Sequence, residues 1–422
     1  MNKISSIDIC EGVSFSHINS KKFKNFGISF VFFSPIEEKL ASNLSVLISV
    51  LSDSCKKFQN FKDLNKQLEE MYGAYLDYCI SKIGNYHVVD LSILATDDRF
   101  TINNEKNISK VVDLICELIF NPLVSNNSFN EQIVSRRKKE IIELIDAQIS
   151  NKRTWSLIKC KQNMFKNEKC GISKYGSKSE VLKITGESLF KVYESMLESS
   201  RVKIMMVSSS DCSDVVEKLK KKFESIKRNV SFDFEPNKFV IPNESKNISE
   251  NMKVQQCKFV MGFRTPFIKP QKTHAMSLFS AIFGGIPTSK LFMSVREKMN
   301  LCYYCSSRFD SATGAMYVES GIEESNFEKA KSEILNQLTK IQNGEITDEE
   351  INDAKNYLIQ RANSISDSMG RFQDWFICQY PFGQSETPEE YAKEISEVSK
   401  KDVIDCSSKI YLDTVYVLKK ED

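Results

Sequence analysis

The order of hydrophobic and polar positions in the first half of the chain predicts strands and helices in succession. A strand-like run, GISFVFFS at 27–34, leads into a helix with an apolar stripe, and FKDLNKQLEEMYGA forms a second helix. Two strand-like runs follow, YLDYCISKI and YHVVDLSILAT, before helices near 104–119 and 130–148. A last helix, GESLFKVYESMLES, precedes the strand VKIMMVSS. This half therefore predicts a sheet covered by helices.

The second half repeats this order of elements. The strand QQCKFVMGFR is followed by a helix around 274–283, the helix SKLFMSVREKM and the strands CYYCSSRF and AMYVESGI. The helices FEKAKSEILNQLTKI and TDEEINDAKNYLIQ come next, then a helix at 400–409 and the strand TVYVLKK. The closing segments SLFKVYESMLESSRVKIMMV and KDVIDCSSKIYLDTVYVLKK correspond at an offset near 213, which indicates an internal repeat.

We expect an α+β fold of two homologous domains, each a mostly antiparallel sheet with helices packed on one face. Strand runs such as AMYVESGI alternate in hydrophobicity, which is typical of antiparallel sheets. The polar, Asn-rich stretch at 227–252 contains two prolines and is typical of an inter-domain linker. The predicted domains are therefore 1–226 and 253–422.

Composition and charge exclude several classes of partner. The 58 basic and 56 acidic side chains leave a net charge of +2, so we expect no nucleic-acid partner and no membrane partner. The N-terminus lacks the apolar run of a signal peptide, which favours a cytoplasmic protein. Twelve scattered cysteines indicate reduced thiols, and the close pair Cys302 and Cys305 lacks the second pair of a zinc ribbon. We therefore expect no cofactor.

Two stretches carry a resemblance to a known family. FGGIPTSKLFMSVREKMNLCYY at 283–304, followed by GAMYVESGIEESNFEKA, resembles the second domain of the pitrilysin and mitochondrial-processing-peptidase family of zinc metallopeptidases. LEEMYGAYLDYCISKIGNYH resembles the zinc-binding domain of the same family. The resemblance spans almost the whole chain, and it implies the LuxS/pitrilysin type of metalloenzyme architecture.

The zinc signature that the resemblance implies is degenerate. Active members carry H-x-x-E-H, with two histidine ligands and a glutamate as general base. The corresponding positions here are Ser45, Ile48 and Ser49. Serine hydroxyls are poor zinc ligands and isoleucine cannot accept a proton, so we expect no catalytic residue and no metal ligand here. The third ligand position maps onto Ser135 or Arg137.

A structural helix explains residues 35–53 without any chemistry. Ser34, Pro35 and Glu37 form a pattern typical of a capping box with proline at the first helical position. An apolar stripe then faces a core at Leu40, Leu44, Leu47, Ile48 and Leu51.

The histidines are too scattered to form a metal cluster by themselves. His17, His87 and His274 are far apart, and the ordinary expectation for each is a structural hydrogen bond. For His87, which lies in the strand run YHVVD, this means a sheet residue.

Arg296 and Tyr303 are the candidate substrate-binding residues. In the family that the chain resembles, an arginine and a tyrosine at these positions hold the substrate backbone opposite the zinc. Both side chains donate hydrogen bonds to a peptide carbonyl or to the oxyanion that forms when water attacks it. The alternatives are a surface arginine near a helix C-terminus and a strand aromatic that packs against a neighbour.

Three functional hypotheses remain open. The first is an inactive bacterial subunit that binds peptide and completes the site of a zinc-bearing paralogue in a heterodimer. The resemblance connects such pairs with peptide maturation or modification of a translation factor. The second is a structural or scaffold protein of the same fold without a role in proteolysis. The third, an enzyme with a new metal or thiol site, lacks a recognisable Cys/His pairing.

Overall fold

The computed structural model describes residues 4–421. The chain forms two compact units, each built from interleaved segments. The first unit contains the chain up to Ile145, together with Ile172–Asp233 and Ser368–Tyr380. The second contains Asp146–Gly171, Phe234–Asp367 and the chain from Pro381 onwards.

The first unit is built on a six-stranded sheet with the order β1-β2-β8-β3-β5-β4. β2 and β8 are parallel, and the other four neighbouring pairs are antiparallel. The strands are β1 (Ile4–Cys10), β2 (Val13–Asn19), β3 (Asn25–Pro35), β4 (Tyr75–Ile83), β5 (Tyr86–Thr96) and β8 (Arg201–Ser208). A separate short hairpin consists of β6 (Val124–Ser125) and β7 (Ser128–Phe129).

The second unit repeats this topology with five strands in the order β11-β12-β10-β13-β9. β13 and β9 are parallel, and the other three pairs are antiparallel. The strands are β9 (Lys246–Met252), β10 (Cys257–Arg264), β11 (Cys302–Asp310), β12 (Ala315–Ile322) and β13 (Tyr411–Lys420). The expected α+β fold with mostly antiparallel sheets is confirmed.

Helices cover both sheets. The helices before the second sheet are α1 (Glu38–Leu51), α2 (Phe61–Glu70), α3 (Asn107–Phe120), α4 (Glu131–Ser150), α5 (Lys152–Met164), α6 (Lys178–Lys183), α7 (Gly186–Ser199) and α8 (Ser213–Glu224). The later ones are α9 (His274–Ser280), α10 (Phe327–Gln342), α11 (Asp348–Asn363), α12 (Met369–Ile377), α13 (Pro388–Glu397) and α14 (Lys400–Ser407). Two further segments, Ala281–Gly285 and Phe292–Lys298, are π-helical.

Each sheet also carries a helix on its second face, which the expectation of helices on one face did not include. In the second unit, α5 packs Cys160 and Met164 against Val260, Tyr416 and neighbouring apolar residues, while Phe259 and Val417 point into the main core. In the first unit, α12 places Gln373 Nε2 3.5 Å from the Gly27 carbonyl and 3.4 Å from the Met205 carbonyl. Both faces of the central strands are apolar enough to bury a helix.

The two covering helices occupy equivalent places in the repeat. Helix α5 starts at Lys152 and α12 at Met369, close to the offset of about 213 between the sequence halves. Yet α5 belongs to the second unit and α12 to the first. The linear division into 1–226 and 253–422 therefore stays a prediction, and the compact units exchange these helices.

The predicted capping box at the start of α1 is wrong. Pro35 still belongs to β3, where it lies opposite Tyr86, and α1 begins at Glu38. Glu37 is the N-cap residue and makes no side-chain capping hydrogen bond. The Ser34 hydroxyl is instead 2.9 Å from the Ser200 hydroxyl. Ser34 and Pro35, which the predicted capping box would have used, instead continue the pairing of β3 with β5.

Within residues 4–421, we find no helix with the length and apolar character needed to cross a membrane.

Candidate functional site

Helix α1 holds the degenerate signature inside the first unit. Every residue from Ala41 to Leu51 is buried, so the helix is covered on all sides and not only along its apolar stripe. Ile48 has no exposed surface and packs in the core. The Ser49 hydroxyl donates to the Val46 carbonyl at 2.7 Å, which is a hydrogen bond within the helix.

A loop covers the serine face of α1. We call residues 172–177 the covering loop. The Ser45 hydroxyl donates to the Lys174 carbonyl at 3.2 Å, and the Ser177 amide donates to the Ser42 hydroxyl at 3.1 Å. A Cβ atom on Gly176 would lie 1.9 Å from the Ser42 oxygen, and Gly176 has φ +66°. The loop approaches so closely because this position is glycine.

His87 completes the contact with the covering loop. Its Nε2 lies 2.6 Å from the Lys174 carbonyl, which also accepts the Ser45 bond. Burial lowers the pKa of His87 to about 4, so the ring is neutral at neutral pH. The expected structural role of this histidine in the sheet is confirmed.

Two lysines fasten the covering loop to strand β4. Lys82 Nζ donates to the Ile172 carbonyl at 2.7 Å, and Lys174 Nζ donates to the Ile80 carbonyl at 2.9 Å. Main-chain atoms thus occupy the place beside Ser45 where the resemblance puts a metal. The residues present do not fit zinc.

The third ligand position is also unsuitable for a cation. Arg137 in α4 donates to Asp53 at 2.7 Å and to Glu140 at 2.6 Å. Arg136 donates to the same Asp53 oxygen at 2.5 Å, and the Asp53 side chain is 3% exposed. These guanidinium groups neutralise the nearest carboxylates.

The other two histidines have separate partners. His17 Nε2 lies 3.0 Å from the Ser208 hydroxyl, and His274 Nε2 lies 2.8 Å from Glu386. Among residues 4–421, no group of three or more histidine, cysteine or acidic side chains is placed to hold a metal ion.

Arg296 lies on the surface of the second unit. It belongs to the π-helical segment Phe292–Lys298, a kind of distortion that is frequent at functional sites. Its side chain is 43% exposed, and Nε lies 3.6 Å from Glu297. The guanidinium carbon lies 4.6 Å from the centre of the Phe292 ring, a cation–π contact that orients the charged end of the side chain.

Tyr303 lies at the start of the edge strand β11 and is 55% exposed. Its hydroxyl donates to Glu323 at 2.9 Å, and this hydrogen bond raises the pKa of Tyr303. The β11 register slips between Cys302 and Tyr304, so Tyr303 is the extra residue of a β-bulge. Bulges of this kind turn a side chain away from the regular pleat.

Arg296 and Tyr303 flank one turn, and we call the two the Arg/Tyr pair. Leu301 donates its amide to the Val295 carbonyl at 3.0 Å, which closes the turn between them. Each side chain has its own acidic neighbour, Glu297 or Glu323. Met293 and Met299 are 50% and 42% exposed in the same segment. The pair and its apolar neighbours are therefore open to a ligand.

Sequence reasoning missed the covering loop and the bulge. The loop acts through main-chain carbonyls, which no residue type encodes. Gly176 followed by the helix N-cap Ser177 was the one local signal of a tight turn.

Comparison with known proteins adds family relationships to this geometry. Residues 183–358 match the family model described as the peptidase M16 inactive domain. A protein of Bacillus subtilis strain 168, described as probable inactive metalloprotease YmfF, is 28% identical over 97% of this chain and 96% of its own length.

Two solved structures have the same fold over their whole length. The crystal structure of a conserved protein from Enterococcus faecalis V583 has a TM-score of 0.91 and 24% identity, and the match covers 99% of both chains. A peptidase M16 inactive domain from Pseudomonas fluorescens has a TM-score of 0.78 and 14% identity, covering 100% of this chain and 99% of the other.

Proposed function

We propose that this chain, an inactive peptidase-like protein of the M16 family, is the non-catalytic subunit of a heterodimeric zinc peptidase. A zinc-bearing paralogue brings the metal and the general base. This chain binds the peptide substrate and completes the site through Arg296 and Tyr303.

The contrast between the two halves of a peptidase site carries the proposal. The position of the metal is filled by the covering loop, with Lys174 accepting from Ser45 and His87. The Arg/Tyr pair is exposed, at 43% for the Arg296 side chain and 55% for Tyr303. In this chain the covering loop packs where a metal would bind, while the substrate-binding candidates stay exposed. This combination supports a role beside a catalytic partner.

The chemistry of the pair suits a peptide substrate. A guanidinium and a phenol both donate, so they bind carbonyl oxygens and stabilise an oxyanion more strongly than a neutral carbonyl. Without a peptide, Tyr303 donates to Glu323 and Arg296 lies beside Glu297. A bound peptide would take the place of these glutamates as the acceptor.

The test measures peptide cleavage by this chain mixed with the zinc-bearing paralogue of the same organism. Loss of a charged hydrogen bond of about 1.5 to 3 kcal/mol predicts that Arg296→Ala lowers kcat/KM roughly 10- to 150-fold. Lys298→Ala is the matched control, because Lys298 is an exposed cation two residues away in the same segment. We expect it to cleave like the wild type.

Other outcomes distinguish the alternatives. If cleavage requires this chain but Arg296→Ala is as active as Lys298→Ala, the chain acts as a scaffold and the Arg/Tyr pair is not used. If the paralogue cleaves equally well alone, the heterodimer proposal is wrong. Size-exclusion chromatography of each mixture shows whether a variant still binds its partner.

A further inference from the structure

We propose that Cys302 and Cys305 are a modification site that peroxide converts into a reversible disulfide, which controls how the Arg/Tyr pair presents Tyr303. The control of peptide binding rests on the proposed function. The disulfide itself does not.

The β-bulge turns both cysteines to one side of the sheet. Cys302 lies opposite Ile322 and Cys305 opposite Ser320, so three steps along β11 match two steps along β12. Residues three apart in a regular strand point to opposite faces. Here both thiols enter the same core, where Cys302 is 7% and Cys305 3% exposed.

The spacing is compatible with a disulfide. Two steps along a strand span about 6.6 Å, near the upper end of the Cα separations of about 4.4 to 6.8 Å that disulfides join. The two thiols are close enough to shift each other's pKa in opposite directions. A small closure of the bulge brings the sulfurs together.

Cys302 is the more acidic thiol of the two. The hydrogen bond from Cys305 lowers the pKa of Cys302 against the effect of burial, with smaller contributions from Ser320 and the positive charge of Arg296. The same hydrogen bond, together with burial, raises the pKa of Cys305. The thiolate is the reactive form of cysteine, so Cys302 is the attacking sulfur.

The reaction balances with one peroxide. The Cys302 thiolate attacks hydrogen peroxide, so an S–O bond forms, the O–O bond breaks, and the departing hydroxide takes the proton lost by Cys302. The Cys305 sulfur then attacks the sulfenic acid, so the S–S bond forms, the S–O bond breaks, and a second water leaves with the Cys305 proton. Two thiols are oxidised and one peroxide is reduced to two waters. A dithiol reductant reverses the change by exchange.

The bulged residue between the cysteines is Tyr303. Closure of the disulfide shortens the bulge and moves the tyrosine relative to Glu323, its hydrogen-bond partner. It also removes the ionisable Cys302 thiol, whose pKa the positive charge of Arg296 lowers. Both members of the Arg/Tyr pair are therefore affected.

Mass spectrometry of the full chain tests the modification. The tryptic peptide MNLCYYCSSR at 299–308 contains both cysteines. After treatment with hydrogen peroxide we expect this peptide to be lighter by two hydrogens and to resist alkylation. Dithiothreitol should restore both its original mass and its reaction with the alkylating agent. If the exposed thiols of Cys79 and Cys378 are oxidised while Cys302 and Cys305 are both still alkylated, the site does not exist.

Cleavage assays test the control of the Arg/Tyr pair. The chain is oxidised, freed of peroxide, and then mixed with the zinc-bearing paralogue. We expect the oxidised wild type to support no cleavage until dithiothreitol is added. The Cys305→Ser and Cys305→Ala variants, which cannot form the disulfide, should support cleavage after the same treatment.

Two results overturn this control. If the wild type carries the disulfide and cleaves like the reduced chain, the control is refuted, and a loss in Arg296→Ala still supports the proposed function. If Arg296→Ala also cleaves normally, the proposed function fails and the control of the pair fails with it.

Discussion

At the scale of single residues, Asp90 is the most unusual carboxyl group. It lies in β5, and its Oδ1 is buried without a hydrogen-bond partner in the described part of the chain. Burial, followed by the charges of Asp374 and Asp77, raises the pKa of Asp90 to about 8 from an ordinary 3.8. Burial also raises the pKa of Asp374, which lies on α12. The first unit therefore keeps a proton that the unfolded chain loses.

This proton makes stability depend on pH. The folded state binds it and the unfolded state does not between about pH 4 and pH 8, so the free energy of unfolding falls as pH rises through this window. Asp90→Asn removes the dependence, and at pH 8 we expect it to be more stable than the wild type by about 1 to 3 kcal/mol.

Thermal unfolding between pH 5 and pH 9 measures this effect. Asp77→Asn is the control, because Asp77 is exposed and is the weakest of the causes at Asp90. The Asp77→Asn control should keep most of the fall in Tm with rising pH. A wild-type Tm that rises between pH 5 and pH 8 would contradict the assignment.

Tyr303 gives a second prediction at this scale. Tyr303→Phe removes a neutral donor worth about 0.5 to 1.5 kcal/mol, so we expect roughly a 2- to 10-fold fall in kcat/KM for the mixture with the paralogue. Tyr357→Phe is the control, since Tyr357 is 40% exposed on α11. Equal rates for the two variants would remove Tyr303 from the proposed site.

At the scale of elements, the covering loop packs against α1 and fills the position where the resemblance places a metal. The loop is fixed through carbonyls at Ile172 and Lys174 and through the close approach of Gly176. A metal site on α1 would require this loop to leave and buried serines to be replaced. The packing of this unit thus fills the space beside Ser45 with main-chain atoms.

Gly176→Ala tests how tightly this loop is packed. A Cβ there meets the Ser42 oxygen at 1.9 Å and also has to adopt φ +66°, so we expect a loss of about 2 to 4 kcal/mol in unfolding free energy. Gly73→Ala is the matched control, because Gly73 has φ +69° with nothing within 4 Å of its Cβ.

Urea unfolding gives both values. The control should lose only about 1 to 2 kcal/mol, from the backbone conformation alone. If both variants lose the same amount, the loop does not press against α1.

At the scale of the whole molecule, the exchange of α5 and α12 links the two sequence halves. The first unit needs Ser368–Tyr380, which follows it by more than a hundred residues of chain. Gln373 reaches the carbonyls of two central strands, and Tyr380 packs its ring 5.3 Å from that of Phe33. Burial of the sheet face under α12 therefore depends on a segment outside the predicted domain 1–226.

A fragment ending at residue 233 tests this dependence. Without α12 it leaves an apolar face uncovered, so we expect no cooperative thermal transition and strong binding of a hydrophobic dye. A fusion that appends 368–380 to the fragment should recover a cooperative transition. A fragment that unfolds cooperatively at the Tm of the full chain would show that the linear domains are the folding units.

The elements that were predicted well have a strong local period. The strand predicted at 27–34 is β3 (Asn25–Pro35), and the helix predicted at 130–148 is α4 (Glu131–Ser150). The exchanged helices α5 and α12 were not predicted, although Met369, Phe372 and Phe376 of α12 follow a helical spacing. The stretch around SKLFMSVREK lies within residues 183–358, which match the peptidase M16 inactive-domain model, and the role of its Arg296 is still a prediction.

The sequence by itself determined the repeated elements and the absence of an H-x-x-E-H motif, because periodicity and side-chain identity are local properties of the chain. Only the tertiary structure decided that the covering loop packs on the serine face of α1, that α12 belongs to the first unit and α5 to the second, and that Tyr303 lies in a bulge between two thiols. These features depend on main-chain carbonyls, strand register and long-range burial, and many different residues satisfy such contacts equally well.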